Sequence, residues 1–286
     1  MITTILFDLD GTLVDTAPDL AHALNLQLLN HGKAPLPYES VRPFASHGSR
    51  GLVGLGFGVT PKDANFIAMR DEYLNIYDTV YTRSPLLLAG IADLLQAIES
   101  KGLTWGIVTN KPRRFTVGLI ESMGLNLEKR AACIVCGDDA PQPKPSPATL
   151  LMACEQIGVK PENCIYVGDA ERDIQAGRAA GMKTVVALFG YIDVTDEPAK
   201  WGADAMILTP IELIPILKTS STKLLHKELE RVVQKKLSLT PYDVNEPKHQ
   251  TARRERIYKE AAVKLHAILT IDISAKNDKQ KKPFKI

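Results

Sequence analysis

Six short apolar runs punctuate the first 217 residues, at 3–9, 103–109, 133–136, 164–167, 184–188 and 205–208. Runs of this length bounded by turn residues read as buried strands, being too short for buried helices. Between them lie segments with apolar residues at helical spacing, each closed by a glycine: 89–100 before Gly102, 115–123 before Gly124, 147–157 before Gly158 and 174–180 before Gly181. Strands alternating with helices of about a dozen residues predict parallel βαβ units and a sheet covered on both faces, an α/β fold.

Residues 16–84 break that rhythm. Helical patterns at 19–30, before Gly32, and at 62–81, opened by Thr60-Pro61, are not followed by buried-strand runs. They predict a helical insertion whose ends lie beside the first strand's acidic loop, where it could act as a lid. After Leu217 the alternation stops. Leu224, Leu225, Leu229, Val232 and Val233 form one helical stripe, and Ile257, Tyr258, Ala261, Ala262, Leu265, Ile268 and Leu269 another, with Pro241 and Pro247 between them.

Composition adds a charge asymmetry. The 286 residues carry a net charge of +2, but residues 219–286 hold sixteen Lys and Arg against eight Asp and Glu, so the tail is +8 and the remainder −6. A basic terminal block of this kind is most often a solvated tail, less often a contact for nucleic acid or membrane. A hydrophobic share of 45% with 24% charged residues fits a soluble globular chain. No apolar run approaches the roughly 18 residues of a membrane span. Residues 1–4 pass directly into the first strand pattern with no basic segment ahead of an apolar run, so a cytoplasmic location is the expectation. Cys133 and Cys136 make a C-x-x-C inside an apolar run with no second Cys or His pair, which reads as structural burial and not as a zinc site.

The candidate chemistry sits at strand ends. Asp8 and Asp10, in Asp8-Leu9-Asp10-Gly11-Thr12, are two residues apart and share a side in extended geometry. One carboxylate could attack phosphorus while the other serves as acid and base. Asp169 ends the run 164–168, and Asp8 with Asp169 is the carboxylate pair that would hold Mg2+, which takes one or two carboxylates and leaves positions for water and phosphate. Asp173, one turn beyond Asp169, could face the same ion, cap the helix beginning near Ile174, or do both. Thr109 and Asn110 offer a hydroxyl, an amide and backbone N–H groups after the strand at 105–108, though an ordinary turn or cap would look alike. Lys144 lies among Pro141, Pro143, Pro145 and Pro147, a stiff loop that could hold an ammonium against phosphate, though a loop lysine alone reads as surface.

In this order the motifs resemble the haloacid dehalogenase superfamily of aspartate-nucleophile phosphatases: Asp8-Leu9-Asp10-Gly11-Thr12 first, Thr109 second, Lys144 third, Gly168-Asp169 to Asp173 fourth. The resemblance covers about residues 1–217. It implies a Rossmann-like core at 1–15 and 85–217 and an inserted helical cap at 16–84; the basic C-terminal extension at 218–286, read as helical or partly disordered, departs from the family's pattern. The resemblance implies Asp8 as nucleophile and Mg2+ ligand, and Asp10 as acid/base that also binds Mg2+ through its carbonyl. Thr109 and Lys144 would bind phosphate, with Asn110 and Lys111 beside them in Thr109-Asn110-Lys111. Asp169 would bind the metal and Asp173 support it.

Asp15-Thr16-Ala17-Pro18-Asp19 and Val108-Thr109-Asn110-Lys111-Pro112 are similar to the phosphoglycolate phosphatase branch. Gly102-Leu103-Thr104-Trp105-Gly106, Gly190-Tyr191-Ile192 and Trp201-Gly202-Ala203-Asp204 look more like the N-acetylmuramic acid 6-phosphate phosphatases of cell-wall recycling, the favoured branch. Specificity is expected in the cap, where Ser46-His47-Gly48-Ser49-Arg50-Gly51 reads as a flexible glycine-rich turn and Arg50 is a candidate for a substrate carboxylate or sugar hydroxyl. A small-molecule phosphate monoester is the expected partner, with no nucleic acid and no membrane, and with self-association through the extension left open. A sugar-phosphate mutase and a binding protein with a vestigial site are the alternative readings.

Overall fold

The computed structural model describes residues 1–218; the helices expected at 219–286 lie outside the described residues. In chain order the elements are β1 (Thr4–Phe7), β2 (Val14–Asp15), α1 (Ala17–Asn30), α2 (Tyr38–Val41), a 3-10 segment (Arg42–His47), α3 (Gly48–Phe57), α4 (Phe66–Asp78), β3 (Leu86–Leu87), α5 (Ile91–Ser100) and β4 (Thr104–Val108). There follow α6 (Arg113–Ser122), α7 (Leu127–Arg130), β5 (Ile134–Val135), α8 (Ala148–Ile157), β6 (Cys164–Gly168), α9 (Glu171–Ala179), β7 (Lys183–Ala187), β8 (Ala205–Ile207) and α10 (Leu213–Lys218).

Six strands form one parallel sheet in the order β5-β4-β1-β6-β7-β8. The alternation of side chains along each strand sorts the core into two layers. Ile5, Phe7, Ile165 and Val167 point to the face covered by Ile91, Leu94, Leu95 and Ile98 of α5. Leu6, Cys164 and Tyr166 point to the other, where Leu150 and Ala153 of α8 and Ala176 of α9 cover them. Both faces are dry, which is why the strands read as unbroken apolar runs. The strands and the four core helices begin and end within a few residues of their predicted limits. Cys133 and Cys136 are buried free thiols.

Between β2 and β3 the chain leaves the sheet to form α1 to α4. These helices bury a cluster of their own, with Leu20, Leu24 and Leu28 of α1 against Val53 of α3 and Tyr73 and Tyr77 of α4; Phe115 and Tyr191 reach it from beside the sheet. The stretch expected to be a glycine-rich turn is different: residues 42–47 are 3-10 and Gly48–Phe57 is a helix containing four glycines. Glycine is a poor helix former, but here tertiary packing overrides propensity. A Cβ at Gly56 would stand 2.9 Å from Leu24 Cδ1 on α1, so its absence permits close approach of the two helices. The fourth helix begins at Phe66 and not near Lys62, because Asp63 Oδ2 accepts from the Thr60 N–H (2.7 Å) and hydroxyl (2.8 Å) and fixes a turn there.

The insert is joined to the sheet through a neck that no sequence period could reveal: β2 and β3 pair antiparallel over only two residues each. The buried Tyr191 hydroxyl organises this neck. It accepts from the Thr16 N–H (2.6 Å) and Ala17 N–H (3.0 Å) and donates to Asp15 Oδ1 (2.7 Å). Among the described residues no helix is long and apolar enough to cross a membrane. Replacing Tyr191 with Phe keeps the ring but strips an acceptor from two backbone donors at the start of α1. It is expected to cost about 1–3 kcal/mol, the usual penalty for stranded buried donors, measurable as a lower midpoint in urea unfolding.

Candidate active site

From β1 the chain runs outward through β4 and β5 and then returns to β6 on the other side of β1. The crevice at the carboxyl ends of β1 and β6 is therefore the sheet's topological switch point, where open α/β sheets bind ligands. Asp8 directly follows β1 and Asp169 directly follows β6. The loop after β1 turns at Gly11, whose φ is +76°; a Cβ there would collide with Asp169 Oδ2 and stand 2.7 Å from Tyr191 Cδ2. Glycine at 11 is what lets the two acidic loops meet.

Three carboxylates converge. Asp8, Asp169 and Asp173 are 4%, 1% and 0% exposed, and each offers an oxygen lying within 4.8 Å of the others'. Asp173 serves two purposes from position N3 of α9: its Oδ2 accepts from the Ala170 N–H (3.0 Å), capping the helix, while its Oδ1 turns inward. The helix starts at Glu171, three residues before the sequence-based estimate, which is why Asp173 caps from inside.

Lys144, which alone read as a surface residue, is 3% exposed. Asn110 holds its backbone: the Lys144 N–H donates to Asn110 Oδ1 and the Asn110 amide donates to the Lys144 carbonyl, both at 2.9 Å. The ammonium donates to the Tyr166 hydroxyl (2.7 Å) and the Val108 carbonyl (3.2 Å), and lies 2.9 Å from Asp8 Oδ1 and 2.7 Å from Asp173 Oδ1. These last two contacts are ion pairs without hydrogen-bond alignment, so both oxygens remain without a hydrogen-bond donor, as does Asp169 Oδ1.

Burial sets the electrostatics. It pushes the Asp169 carboxyl up to about 7, with Asp173 and Asp8 adding to the rise and bonds from the Tyr191 N–H and the Ser46 hydroxyl opposing it. Burial likewise raises Asp173, against the pull of Lys144. Burial alone would lower Lys144, but Asp173 and Asp8 outweigh it and keep the ammonium charged. Three carboxylates against the Lys144 ammonium and the nearby Arg172 guanidinium leave the crevice short of about one positive charge, which a bound cation would supply. All-oxygen donors, three of them undercoordinated, fit a hard divalent ion.

Asp10 stands beside this cluster, more exposed. Its carboxylate accepts from the Thr16 hydroxyl (2.5 Å) and from Lys111 Nζ (3.0 and 3.3 Å to its two oxygens). Lys111 is buried and sits over the Tyr77 ring at 4.9 Å; burial opposes its charge, but Asp10 raises its pKa well above the usual lysine value. Lys111 thus engages Asp10, while the Asn110 side chain is taken up with Lys144. Thr109 is buried at the end of β4, its hydroxyl accepting from the Lys111 N–H (3.1 Å). A cavity of about 1140 Å³ opens from Asp8, Asp10, Thr109 and Lys111 into the helical insert, where Arg50, exposed on α3, lines the far part with Leu20, Leu55, Leu74 and Phe115.

Two residues at this site escaped the sequence reading as site residues. Arg172 lines the cavity and donates to the Ser46 carbonyl; its place between Asp169 and Asp173 was the available clue. Ser46 reaches Asp169 from the insert, a contact across 123 positions that no local pattern encodes.

A parallel sheet with an acidic crevice at its switch point, two buried lysines and an insert over the opening fits a hydrolase of the phosphoryl-transfer type with an α/β core. The chain belongs to the haloacid dehalogenase-like hydrolase family, whose model matches residues 5–187. It is 40% identical over 216 residues to an N-acetylmuramic acid 6-phosphate phosphatase of Pseudomonas aeruginosa, covering 76% of this chain and 95% of that one. It is 42% identical over 208 residues to a phosphoglycolate phosphatase of Xylella fastidiosa, covering 72% and 89%. A solved haloacid dehalogenase-like family hydrolase from Streptococcus pneumoniae shares the fold, with a TM-score of 0.65 at 21% identity over 75% of this chain and 98% of that one.

A divalent cation held by these carboxylates would bind with a pH dependence set by the raised Asp169 carboxyl. Above pH 7 that carboxyl is already ionised; below it a proton competes, so affinity for added Mg2+ is expected to fall towards tenfold per pH unit with proton release on binding. Calorimetric titration between about pH 5.5 and 8.5 checks this, and a flat affinity across that range would contradict it.

Proposed function

We propose that this chain is a Mg2+-dependent phosphomonoesterase that works through an aspartyl phosphate at Asp8. The observation that carries the proposal is the convergence of Asp8, Asp169 and Asp173 on one buried point beside Lys144. Asp8, Asp169 and Asp173, with the Asp10 carbonyl, would hold the ion, which supplies positive charge to phosphate oxygens when bound. Lys144 neutralises Asp8 Oδ1 and offers charge to the phosphate, and Thr109 with the N–H groups of its loop binds the remaining oxygens. Asp10, ion-paired with Lys111 and bonded to Thr16 in the free site, takes up a proton from the phosphate monoanion as the substrate binds, and gives it to the leaving oxygen as Asp8 attacks phosphorus. Asp10, now a carboxylate, then takes a proton from the water that hydrolyses the aspartyl phosphate, releasing inorganic phosphate. Residues 1–15 and 85–217 act as the catalytic core and 16–84 as a cap that selects the ester.

The favoured substrate is N-acetylmuramic acid 6-phosphate, in cytoplasmic cell-wall recycling. A cavity of about 1140 Å³ is at the upper end of ordinary ligand pockets and far exceeds what a two-carbon ester fills. Its mixed lining suits the substrate: Leu20, Leu55, Leu74 and Phe115 for sugar faces and an acetyl methyl, Arg50 for the carboxylate. The relative named phosphoglycolate phosphatase, at 42% identity, supports 2-phosphoglycolate as the second reading.

Steady-state kinetics on both esters discriminates. The sugar phosphate is expected to have the higher kcat/KM by about tenfold or more, the equivalent of about 1.4 kcal/mol in the transition state; equal values would mean that the cap reads only carboxylate and size. Chelation should abolish turnover reversibly. Asp8→Asn should lower kcat by about 10³-fold or more and Asp10→Asn by about 10²–10⁴-fold. Phosphate release that survives chelation or Asp8→Asn would sink the proposal.

A further inference from the structure

Asp169 is held from two different parts of the fold. Its Oδ2 accepts from the Tyr191 N–H in the loop after β7 (2.8 Å) and from the Ser46 hydroxyl in the 3-10 segment of the helical insert (2.8 Å). Its Oδ1 is buried, has no hydrogen-bond partner, and belongs to the carboxylate cluster formed with Asp8 and Asp173. Two donors on one oxygen fix the rotation of a carboxylate and so fix where the other oxygen points; one donor alone leaves it freer to turn.

The segment that carries Ser46 is docked at further points around the same carboxylate. The Ser46 carbonyl accepts from the Arg172 guanidinium on α9. Arg42, four residues earlier, donates to the Gly190 carbonyl (3.2 Å) and lies over the Tyr191 ring at 4.9 Å. Gly190 itself packs on Asp169, since a Cβ there would stand 2.6 Å from the Gly11 carbonyl and 2.7 Å from Asp169 Oδ2. Residues 42–46 therefore grip the loop that presents the Tyr191 N–H and also supply the second donor directly. A surface serine satisfying a convenient acceptor would account for the Ser46 bond alone, but not for its carbonyl accepting from Arg172 and for Arg42 gripping the Gly190-Tyr191 loop that also bonds Asp169.

We infer that Ser46 is a positioning residue that couples docking of the helical insert to cation binding at Asp169: the docked insert aims Oδ1 into the carboxylate cluster, and a bound cation holds the insert docked. Coupling of this kind is reciprocal, so each event favours the other by the same factor. The inference rests on the reading of Asp8, Asp169 and Asp173 as the cation ligands, and it adds to that reading a ligand-orienting contact supplied by the insert.

The test uses the full chain without substrate. Mg2+ affinity is measured by calorimetry, and hydrogen exchange of peptides spanning residues 42–57 is followed with and without Mg2+. In the wild type, Mg2+ should slow that exchange. Ser46→Ala should weaken Mg2+ binding by about fivefold or more, in the usual range for coupled sites, and lose most of the slowing, while Ser46→Thr, which keeps the hydroxyl, stays within about twofold of wild type. Arg42→Gln removes a docking contact without touching Asp169, and should speed exchange and weaken Mg2+ binding together. Binding that Ser46→Ala leaves unchanged, or an Arg42→Gln chain that exchanges faster yet binds Mg2+ as before, overturns the inference alone. A wild type that binds no Mg2+ overturns the cation reading and the inference with it.

Discussion

Three buried carboxylates share a crevice with the Lys144 ammonium and the Arg172 guanidinium, and most of what surrounds them answers that imbalance. Lys144 has to be fully inside to reach both Asp8 and Asp173, and a lysine there needs its backbone held, which the paired amide of Asn110 does. Its remaining donors need acceptors, which Tyr166 and the Val108 carbonyl provide from β6 and β4. Asp173 could not stay buried as a carboxylate on the ion pair alone, and capping α9 satisfies its second oxygen. Even so the positive charge falls short, and burial, with Asp173 and Asp8 adding to it, displaces the Asp169 carboxyl towards neutrality. The proposed cation would supply the charge that the site's own residues lack.

The position of the insert follows from the same crevice. Between Asp8 and Asp19 the chain passes from the end of β1, through the Gly11 turn and the two residues of β2, into α1, so the acidic loop and the neck are one continuous structure. Thr16, the residue before α1, also bonds to Asp10, and Tyr191 ties the start of α1 to the loop that bonds Asp169. The seating of the insert and the placement of the carboxylates are linked, because the neck and the acidic loops share residues.

Much of this was legible in the chain. Strands buried on both faces announce themselves as short apolar runs, and carboxylates at their ends, separated by recognisable turns, mark the crevice. What was hidden divides by physical cause. The β2–β3 pair is too short to carry a period. The helical state of Gly48–Phe57 depends on α1 packing against it, so the stretch 46–51 reads locally as a glycine-rich turn while residues from Gly48 onward fold as a helix. Lys144 looked like a loop lysine because burial of a charge is decided by what lies opposite, in this case residues 136 positions before it and 29 after. Ser46 and Arg172 meet only in three dimensions. Asp173 was readable as cap or ligand; one oxygen caps α9, and the other faces the carboxylate cluster and Lys144.

Relatives at 40% and 42% identity carry names for two different esters, and the distribution of work within the fold explains how that can be. On the proposed reaction, residues at the sheet's carboxyl ends would meet the phosphate group, which is the same on every ester. The leaving group would occupy the cavity between the core and α1, α3 and α4, whose lining includes side chains on helices that pack mainly on one another. A few substitutions among those side chains can change the preferred ester while barely altering overall identity. Global similarity therefore speaks for the reaction, and the volume and polarity of that one cavity speak for the substrate.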